Sequence, residues 1–298
     1  QCYCLAGAAV ATRHSFFSFI SPLAAESGTQ VLMSPDSERV ANFIRETAEA
    51  DIMPRFRSLA AHEVIEKKPG DLVTVADQDA EERLTRMLCG LTPGALVVGE
   101  EAAHAAPHLL DQLDEEQGPL WIIDPVDGTA NFAASRPVFA VMVAYVEAGE
   151  TRMGWIYDPV EKVMTSAELG SGARRDGKPL RIDGQPSRLT GRVNFGLIER
   201  DARPSVRQRL EESFNLEKSM SCAGQEFISM ARGNAQFRLY NRLWAWDHAP
   251  GVLVVREAGC HADRQDENPY RPTERTRGLL CASDIDSWHR INDIVRPD

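Results

Sequence analysis

No stretch of this sequence stays apolar for the roughly 18 to 20 residues that a bilayer-crossing helix needs. Cysteine is scarce, six in 298 residues, with Cys89, Cys222, Cys260 and Cys281 outside any CxxC spacing and Cys2 and Cys4 alone near the start. That excludes a disulfide framework, offers no zinc pattern, and makes a reducing cytoplasm the expected setting. Basic residues are outnumbered, 33 Lys and Arg against 44 Asp and Glu, for a formal net charge of −11. Such a surplus repels a phosphate backbone, so neither nucleic acid nor membrane is an expected partner. No internal repeat is visible, and no G-x-G-x-x-G follows a strand pattern, which argues against a dinucleotide-binding oxidoreductase. What remains is ordinary in bulk: 43% hydrophobic and 26% charged residues suffice for a well-buried core.

Residues 1–33 differ from the rest. They hold one acid, Glu26, one arginine, Arg13, and a Phe16-Phe17-Ser18-Phe19-Ile20 cluster without helical period. The charged start of a signal peptide is poor. A disordered or non-native extension is expected, with the folded domain spanning 34–298. Ser34-Pro35 reads as the start of a helix whose face carries Val40, Phe43, Ile44, Thr47, Ala48 and Ile52. Pro69-Gly70 breaks the chain before a short strand at 72–75. Asp77 is expected to cap a second helix, with Leu84, Met87 and Leu88 on its apolar side. Two apolar runs, 96–98 and 120–123, each end in acids. A β-meander follows at 139–146, 151–157 and 162–167, separated by turn residues. Beyond it, strands (193–197, 235–240, 279–282) alternate with helices (205–212, after Gly224, 246–258, and the C-terminus). The pattern predicts a mixed α+β layered protein, with two lobes, 34–190 and 191–298.

The densest chemical signal is Trp121-Ile-Ile-Asp-Pro-Val-Asp-Gly-Thr-Ala-Asn-Phe132. A buried strand delivers Asp124 to its C-terminal end, Pro125 turns the chain, and Asp127 returns beside Asp124. Two adjacent carboxylates repel, and a hard divalent cation such as Mg²⁺ relieves that repulsion with oxygen ligands. The Val126 carbonyl lies between them. Gly128-Thr129 then opens a short helix whose free N–H groups suit a phosphate. Taken alone, the segment also reads as a plain Asp-Pro-x-Asp-Gly turn. Its flanks shift the balance: Gly99-Glu100-Glu101 puts more acid at a strand end, and Trp246-Asp247 puts another at a helix start.

Four stretches together resemble the inositol monophosphatase family of lithium-sensitive, Mg²⁺-dependent phosphatases: 69–77 (PGDLVTVAD), Gly99-Glu-Glu101, 124–132 (DPVDGTANF), and 246–251 (WDHAPG) followed by Glu257-Ala-Gly259. They stand in the family's order and spacing between about residues 35 and 295. The resemblance implies an αβαβα sandwich of the sugar-phosphatase type, a homodimer, and two or three Mg²⁺ ions. It implies that Glu100, Asp124 and the Val126 carbonyl hold one ion, and Asp124, Asp127 and Asp247 a second. Thr129, hydrogen-bonded to Asp77, would position the attacking water, and the Gly128 and Thr129 amides would hold the phosphate. Glu101 would sit behind the ligands. The implied activity is hydrolysis of a small polyol or sugar phosphate, inositol-1-phosphate-like, by metal-activated water without a covalent phosphoenzyme.

Competing chemistries fail on spacing. An aspartyl-phosphate enzyme wants Asp-x-Asp, whereas the second Asp here stands at +3. No cysteine has an arginine six residues on. Gly172-Ala-Arg-Arg-Asp-Gly-Lys178 mimics a P-loop, but Pro179 follows where Ser or Thr is required, so a hairpin turn is expected. His104, His108 and His261 show no ligand-type i,i+4 partner and are expected to be surface or capping residues. The substrate side departs from the family. Where animal inositol phosphatases carry a hydroxyl-binding acid, seven residues before the Trp-Asp aspartate, Tyr240 stands. The flanking Gly-Thr-Ala segment appears as Gly224-Gln225-Glu226, and a lysine that precedes the first motif is displaced toward Lys67 and Lys68. Glu226, Tyr240 and Arg242 are therefore the expected substrate wall. Histidinol phosphate, fructose-1,6-bisphosphate or a 3′-phosphonucleotide are alternative substrates, and a catalytically silent regulatory or binding relative is the alternative of a different class.

Overall fold

The computed structural model describes residues 34–68, 71–115 and 118–296. The expectations for residues 1–33 and for the Pro69-Gly70 break lie outside those residues. Helix α1 (Ser37–Thr47) is capped by Asp36, whose carboxylate accepts from the Glu38 and Arg39 amides at 3.0 and 3.2 Å. The expected Ser34-Pro35 start is thus corrected by two residues, because the Asp36 oxygen is the one that reaches the free N–H groups. A wider turn, Ala48–Ile52, continues the same stripe. Val40, Ile44, Thr47, Ala48 and Ile52 are buried, with Phe43 at the margin.

Strands β1 (Val64–Lys68) and β2 (Asp71–Thr74) form an antiparallel hairpin. Helix α2 (Val75–Leu91) begins at Thr74, not Asp77. Asp77 sits at the third helical position and closes a capping box, accepting from the Thr74 amide at 2.9 Å and the Thr74 hydroxyl at 2.5 Å. Then come β3 (Leu96–Gly99), α3 (Glu100–Ala105), α4 (Leu109–Glu115), β4 (Leu120–Asp127) and α5 (Thr129–Ala133). The meander follows as β5 (Ala140–Glu147), β6 (Glu150–Asp158), β7 (Val163–Glu168), β8 (Gly172–Arg175) and β9 (Lys178–Leu180). The β8–β9 turn lies within the P-loop-like stretch, which is therefore a hairpin, as its proline required. These strands make one seven-stranded sheet in the order β3-β4-β5-β6-β7-β8-β9, antiparallel except for β3 beside β4.

A second sheet is built from β10 (Thr190–Val193), β11 (Asn215–Leu216), β12 (Phe237–Arg242), β13 (His261–Arg264) and β14 (Arg277–Ala282), in the order β11-β10-β12-β14-β13. The strand expected at 193–197 lies earlier; Phe195–Leu197 is a single 3₁₀ turn whose start is fixed by Asn194, which accepts from the Gly196 amide. Helices α6 (Arg203–Ser213), α7 (Ala223–Ala231), α8 (Ala245–Glu257) and α9 (Ile285–Val295) complete the chain.

Alternating side chains on the strands bury both faces of each sheet. Val141, Val143 and Tyr145 of β5 face α1 and α2, while Ala140 and Met142 face α7 and α8. Tyr240, Leu279 and Cys281 of the second sheet close that middle layer, and Phe237, Leu239 and Leu280 face α6 and α9. The result is an αβαβα sandwich. Among the described residues no helix is long and apolar enough to cross a membrane. Cys89, Cys222, Cys260 and Cys281 are buried.

The middle layer is held at close range. A Cβ built on Gly154 of β6 would meet the Pro250 backbone of α8 at 2.9 Å. Gly154→Ala is accordingly expected to lower unfolding free energy by about 1–3 kcal/mol through overpacking. Denaturant titration checks this, and an unchanged midpoint would contradict the contact.

Candidate active site

Strands β3 and β4 are parallel, with Gly99 in register with Ile123. Both chains therefore reach the same edge of the sheet together, where Glu100 opens α3 and Asp124 is the next residue of β4. Residues three apart on a regular strand point to opposite faces. Here β4 carries one extra residue: Asp124 pairs with Met142 and Asp127 with Ala140, so three steps on β4 oppose two on β5. The bulge brings Asp127 back to the face of Asp124. Asp247, in the first turn of α8, completes the group from the middle layer.

Carboxylate oxygens of Glu100, Asp124 and Asp247 all lie within 4.8 Å of one another. Burial is the main cause that lifts all three above the usual carboxylate range, Asp247 to about 8. Mutual repulsion adds to it: the charge of Asp247 acts on Glu100, that of Glu100 on Asp124, and that of Asp127 on Asp247. An all-oxygen cluster of this kind suits a hard divalent cation.

Asp127 stands beside the trio and points elsewhere. Its oxygens accept from the Ala223 amide at 3.1 Å, the Gly224 amide at 2.6 Å and the Cys222 thiol at 2.9 Å, at the N-terminus of α7. Burial raises its pKa, and these three donors pull it back. The sequence pattern paired Asp127 with Asp124; the structure shows it also ties β4 to α7.

Gly128 adopts φ +90° as the residue before α5, a left-handed conformation that glycine takes without a Cβ clash. Thr129 follows as the first helical residue, so its N–H has no intrahelical acceptor. Its hydroxyl lies 3.1 Å from Asp77 Oδ1 and 3.0 Å from the Val126 carbonyl, and its single proton serves one of them at a time. Asp77 is pushed up to about 6, chiefly by burial and against its bonds to Thr74. Asn131 of α5 donates to the Val138, Met220 and Ser221 carbonyls, fixing this corner to the loop before α7.

Glu226, Tyr240 and Arg242 line one cavity of about 370 Å³ together with Asp127 and Asp247. Only Arg242 is exposed. Both oxygens of Glu226 are engaged inside the protein: one accepts from the Ser219 hydroxyl and Met220 amide at 2.8 Å, the other from Arg238 Nε at 2.5 Å. Tyr240 is buried, its ring stacked on Phe227 at 5.2 Å and edge-on to His248 at 4.7 Å. The His248 Nδ1–H donates to the Trp244 carbonyl at 2.9 Å, and burial lowers its pKa to about 4.

Of three supports of the site, sequence reasoning named Lys67 and His104 without this role and missed Glu81. Glu81 of α2 grips the start of α3 with both oxygens, accepting from the Glu101 and Ala102 amides at 2.8 Å each. A Cβ on Gly99 would fall 2.1 Å from the Glu81 carboxyl carbon, so the glycine before Glu100 is what admits this grip. Burial raises Glu81 to about 7. Lys67 of β1 reaches Glu101 at 3.0 Å and Glu100 at 3.5 Å. His104 corrects its expected surface role: it stands one turn after Glu100, with Nδ1 3.8 Å from that carboxylate, because α3 puts positions i and i+4 on one face. The glycine at a strand end was the one available signal for Glu81.

The chain matches the family model of the inositol monophosphatase family over residues 36–295. It is 30% identical over 197 residues to the fructose-1,6-bisphosphatase/inositol-1-monophosphatase of Thermotoga maritima, covering 65% of this chain and 73% of that one. To the Nus factor SuhB of Pseudomonas aeruginosa it is 32% identical over 219 residues, 68% of this chain and 77% of that one. A solved structure of the Thermotoga maritima IMPase superposes with a TM-score of 0.71 at 22% identity, over 85% of this chain and 94% of that one.

Replacing Glu81 by Gln removes one of the two acceptors at the start of α3. We expect a loss of about 1–2 kcal/mol in stability, as for a deleted helix cap, together with a weaker midpoint for divalent-cation binding. Melts in EDTA and a Mg²⁺ titration measure the two effects. Unchanged values in both would remove Glu81 from the site's support.

Proposed function

The chain belongs to the inositol monophosphatase family of phosphatases, and from that premise we propose that it is a Mg²⁺-dependent phosphomonoesterase acting on a small polyol or sugar phosphate. The observation that carries this reading is the convergence of Glu100, Asp124 and Asp247 within 4.8 Å. Glu100, Asp124, the Val126 carbonyl, Asp127 and Asp247 are the groups that would hold two or three ions. Bound there, Mg²⁺ supplies positive charge to the phosphoryl oxygens and acidity to water.

The remaining roles belong to the chain itself. The amides of Gly128 and Thr129 bind the phosphate. The Thr129 hydroxyl would take a proton from the attacking water as it passes its own proton to the Asp77 carboxylate, 3.1 Å away. Arg242, beside the walls made by Tyr240 and Glu226, faces the leaving alcohol. Cys222 does not compete as a nucleophile, since burial and the neighbouring Asp127 carboxylate hold its thiol protonated. Direct attack by water is thereby favoured over a covalent phosphoenzyme. The intact cluster also weighs against the silent-relative reading, which would leave buried acids without employment.

Asp124→Asn is expected to cut Mg²⁺-dependent phosphate release from a panel of monoesters by at least about a hundredfold while the circular-dichroism spectrum stays native. Normal turnover by that variant would sink the assignment, and EDTA should silence the wild type.

Thermal melts give a second check. The folded pKa of Asp247, about 8, lies above its ordinary value of 3.8. Its contribution to stability is thus complete below about pH 4 and lost as pH rises toward about 8 in metal-free protein. A bound cation replaces the protons. Mg²⁺ should therefore raise the melting temperature more at about pH 8 than at about pH 5. Equal shifts at both values would speak against a cation among these acids.

A further inference from the structure

Strand β12 presents Arg238, Tyr240 and Arg242 on one face, since residues two apart share a side of the sheet. It is the face of the middle layer, where Tyr240 packs with Leu279 and Cys281. The two arginines differ in company. Arg238 is buried, and its Nε donates to Glu226 at 2.5 Å. Arg242 is exposed at the end of the strand and has no hydrogen bond or ion pair among the described residues. Directly opposite it on β14 stands another exposed cation, Arg277, whose guanidinium donates to the neutral Asn241 side chain at 2.8 and 3.1 Å. Like charges facing each other across a strand pair repel. Among the described residues no acid pairs with either guanidinium, so the rim of the 370 Å³ cavity carries positive charge that the protein leaves unbalanced.

Tyr240 and His248 line the same cavity and are buried. Neither the Tyr240 hydroxyl nor His248 Nε2 has a hydrogen-bond partner among the described residues. Tyr240 is pinned by Phe227, stacked at 5.2 Å, and by the Arg238 guanidinium, 4.5 Å from its ring centre. His248 meets it edge-on at 4.7 Å. Because the His248 Nδ1–H is given to the Trp244 carbonyl, Nε2 of the neutral ring is an acceptor. Buried polar groups left unpaired are costly, and an arriving ligand can supply the missing partner. A hydroxyl suits both atoms: its O–H donates to Nε2 and its oxygen accepts from the tyrosine.

We propose that the preferred substrate is a phosphorylated hydroxy acid, whose leaving alcohol carries a hydroxyl read by Tyr240 and His248 and a carboxylate held by Arg242 beside Arg277. This rests on the phosphomonoesterase reading and narrows its substrate class to phosphorylated sugar acids and their shorter relatives. Two residues of extended strand separate the recognising side chains by about 7 Å, a span that one short carbon chain covers. A guanidinium gives a carboxylate two parallel N–H bonds. A carboxylate also adds less negative charge than a second phosphate to a cavity that Asp127 and Asp247 already line. The reaction consumes only water: its oxygen forms the new bond to phosphorus and the ester P–O bond breaks. One water proton ends on the leaving hydroxyl and the other on the released phosphate.

The test measures kcat/KM in Mg²⁺ for 6-phosphogluconate and sorbitol 6-phosphate, which differ only in a carboxylate against a hydroxymethyl group, and for fructose 1,6-bisphosphate. The wild type is expected to favour the acid over its alcohol by about tenfold or more. Arg242→Gln should bring that ratio near unity, and Arg242→Lys, which keeps the charge without the fork, should restore part of it. Tyr240→Phe should lower both values alike and leave the ratio standing; unchanged values there overturn the hydroxyl contact. A wild-type ratio near unity, or one that Arg242→Gln leaves unmoved, overturns the carboxylate. So does a preference for the bisphosphate over the acid that Arg242→Gln abolishes, since it assigns the arginine to a second phosphate. Should the wild type turn over none of these esters, the phosphomonoesterase reading fails by itself, and melting shifts decide the subsite. A larger shift with 6-phosphogluconate than with sorbitol 6-phosphate, lost in Arg242→Gln, supports it, and equal shifts overturn it.

Discussion

The crowding of carboxylates at one point, partly or wholly out of water, is the constraint on which this molecule depends. Glu100, Asp124 and Asp247 come from α3, β4 and α8, three elements that share no local sequence, and they meet where protein has displaced much of the water. Each charge raises the cost of the next. Such a cluster persists only when the surrounding fold overdetermines it. The overdetermination is visible: parallel β3 and β4 reach the edge in register, Glu81 grips α3, and Pro250 of α8 rests on Gly154 of β6. Stability invested in the layers is what holds the acids together, and a cation bound there would make their company favourable.

The layered α+β architecture was legible in the chain because each layer writes its own period. The stripe through Val40, Ile44 and Ile52 reads as a helix, and the meander from β5 to β7 reads as apolar strands cut by turns. Motif order carried the five-layer sandwich, which patterning alone left as a mixed fold with lobes. Boundaries were less legible. Asp36 and Thr74, rather than Ser34 and Asp77, cap their helices, since the winner among neighbouring acceptors depends on which oxygen reaches the free amides. Hairpin strand β1 went unread because Ile65, Glu66, Lys67 and Lys68 mix apolar and charged residues without alternation, and most of it is exposed.

The acids of the site were readable where strand ends and glycine turns announced them. Their supports were not. Glu81 lies 18 positions before Gly99 on a helix that looks ordinary, and Lys67 and His104 acquire meaning only when the β1–β2 hairpin and α3 are placed side by side. Tyr240 and Glu226 show the converse. Both were expected as a substrate wall and both line the smaller cavity, yet Glu226 is bonded to Arg238 and the Tyr240 ring is stacked on Phe227, partners that no motif announced.

Asp127 carries a structural obligation that Glu100, Asp124 and Asp247 do not share. By accepting from Cys222, Ala223 and Gly224 it fastens the first sheet to the middle layer, whatever else it binds. A descendant of this protein that abandoned catalysis would still be under selection to keep an acid at 127, while Glu100, Asp124 and Asp247 would be free to drift. Among such descendants, retention of the aspartate at 127 marks inheritance of the architecture, and the state of the other three positions marks whether the chemistry was inherited with it.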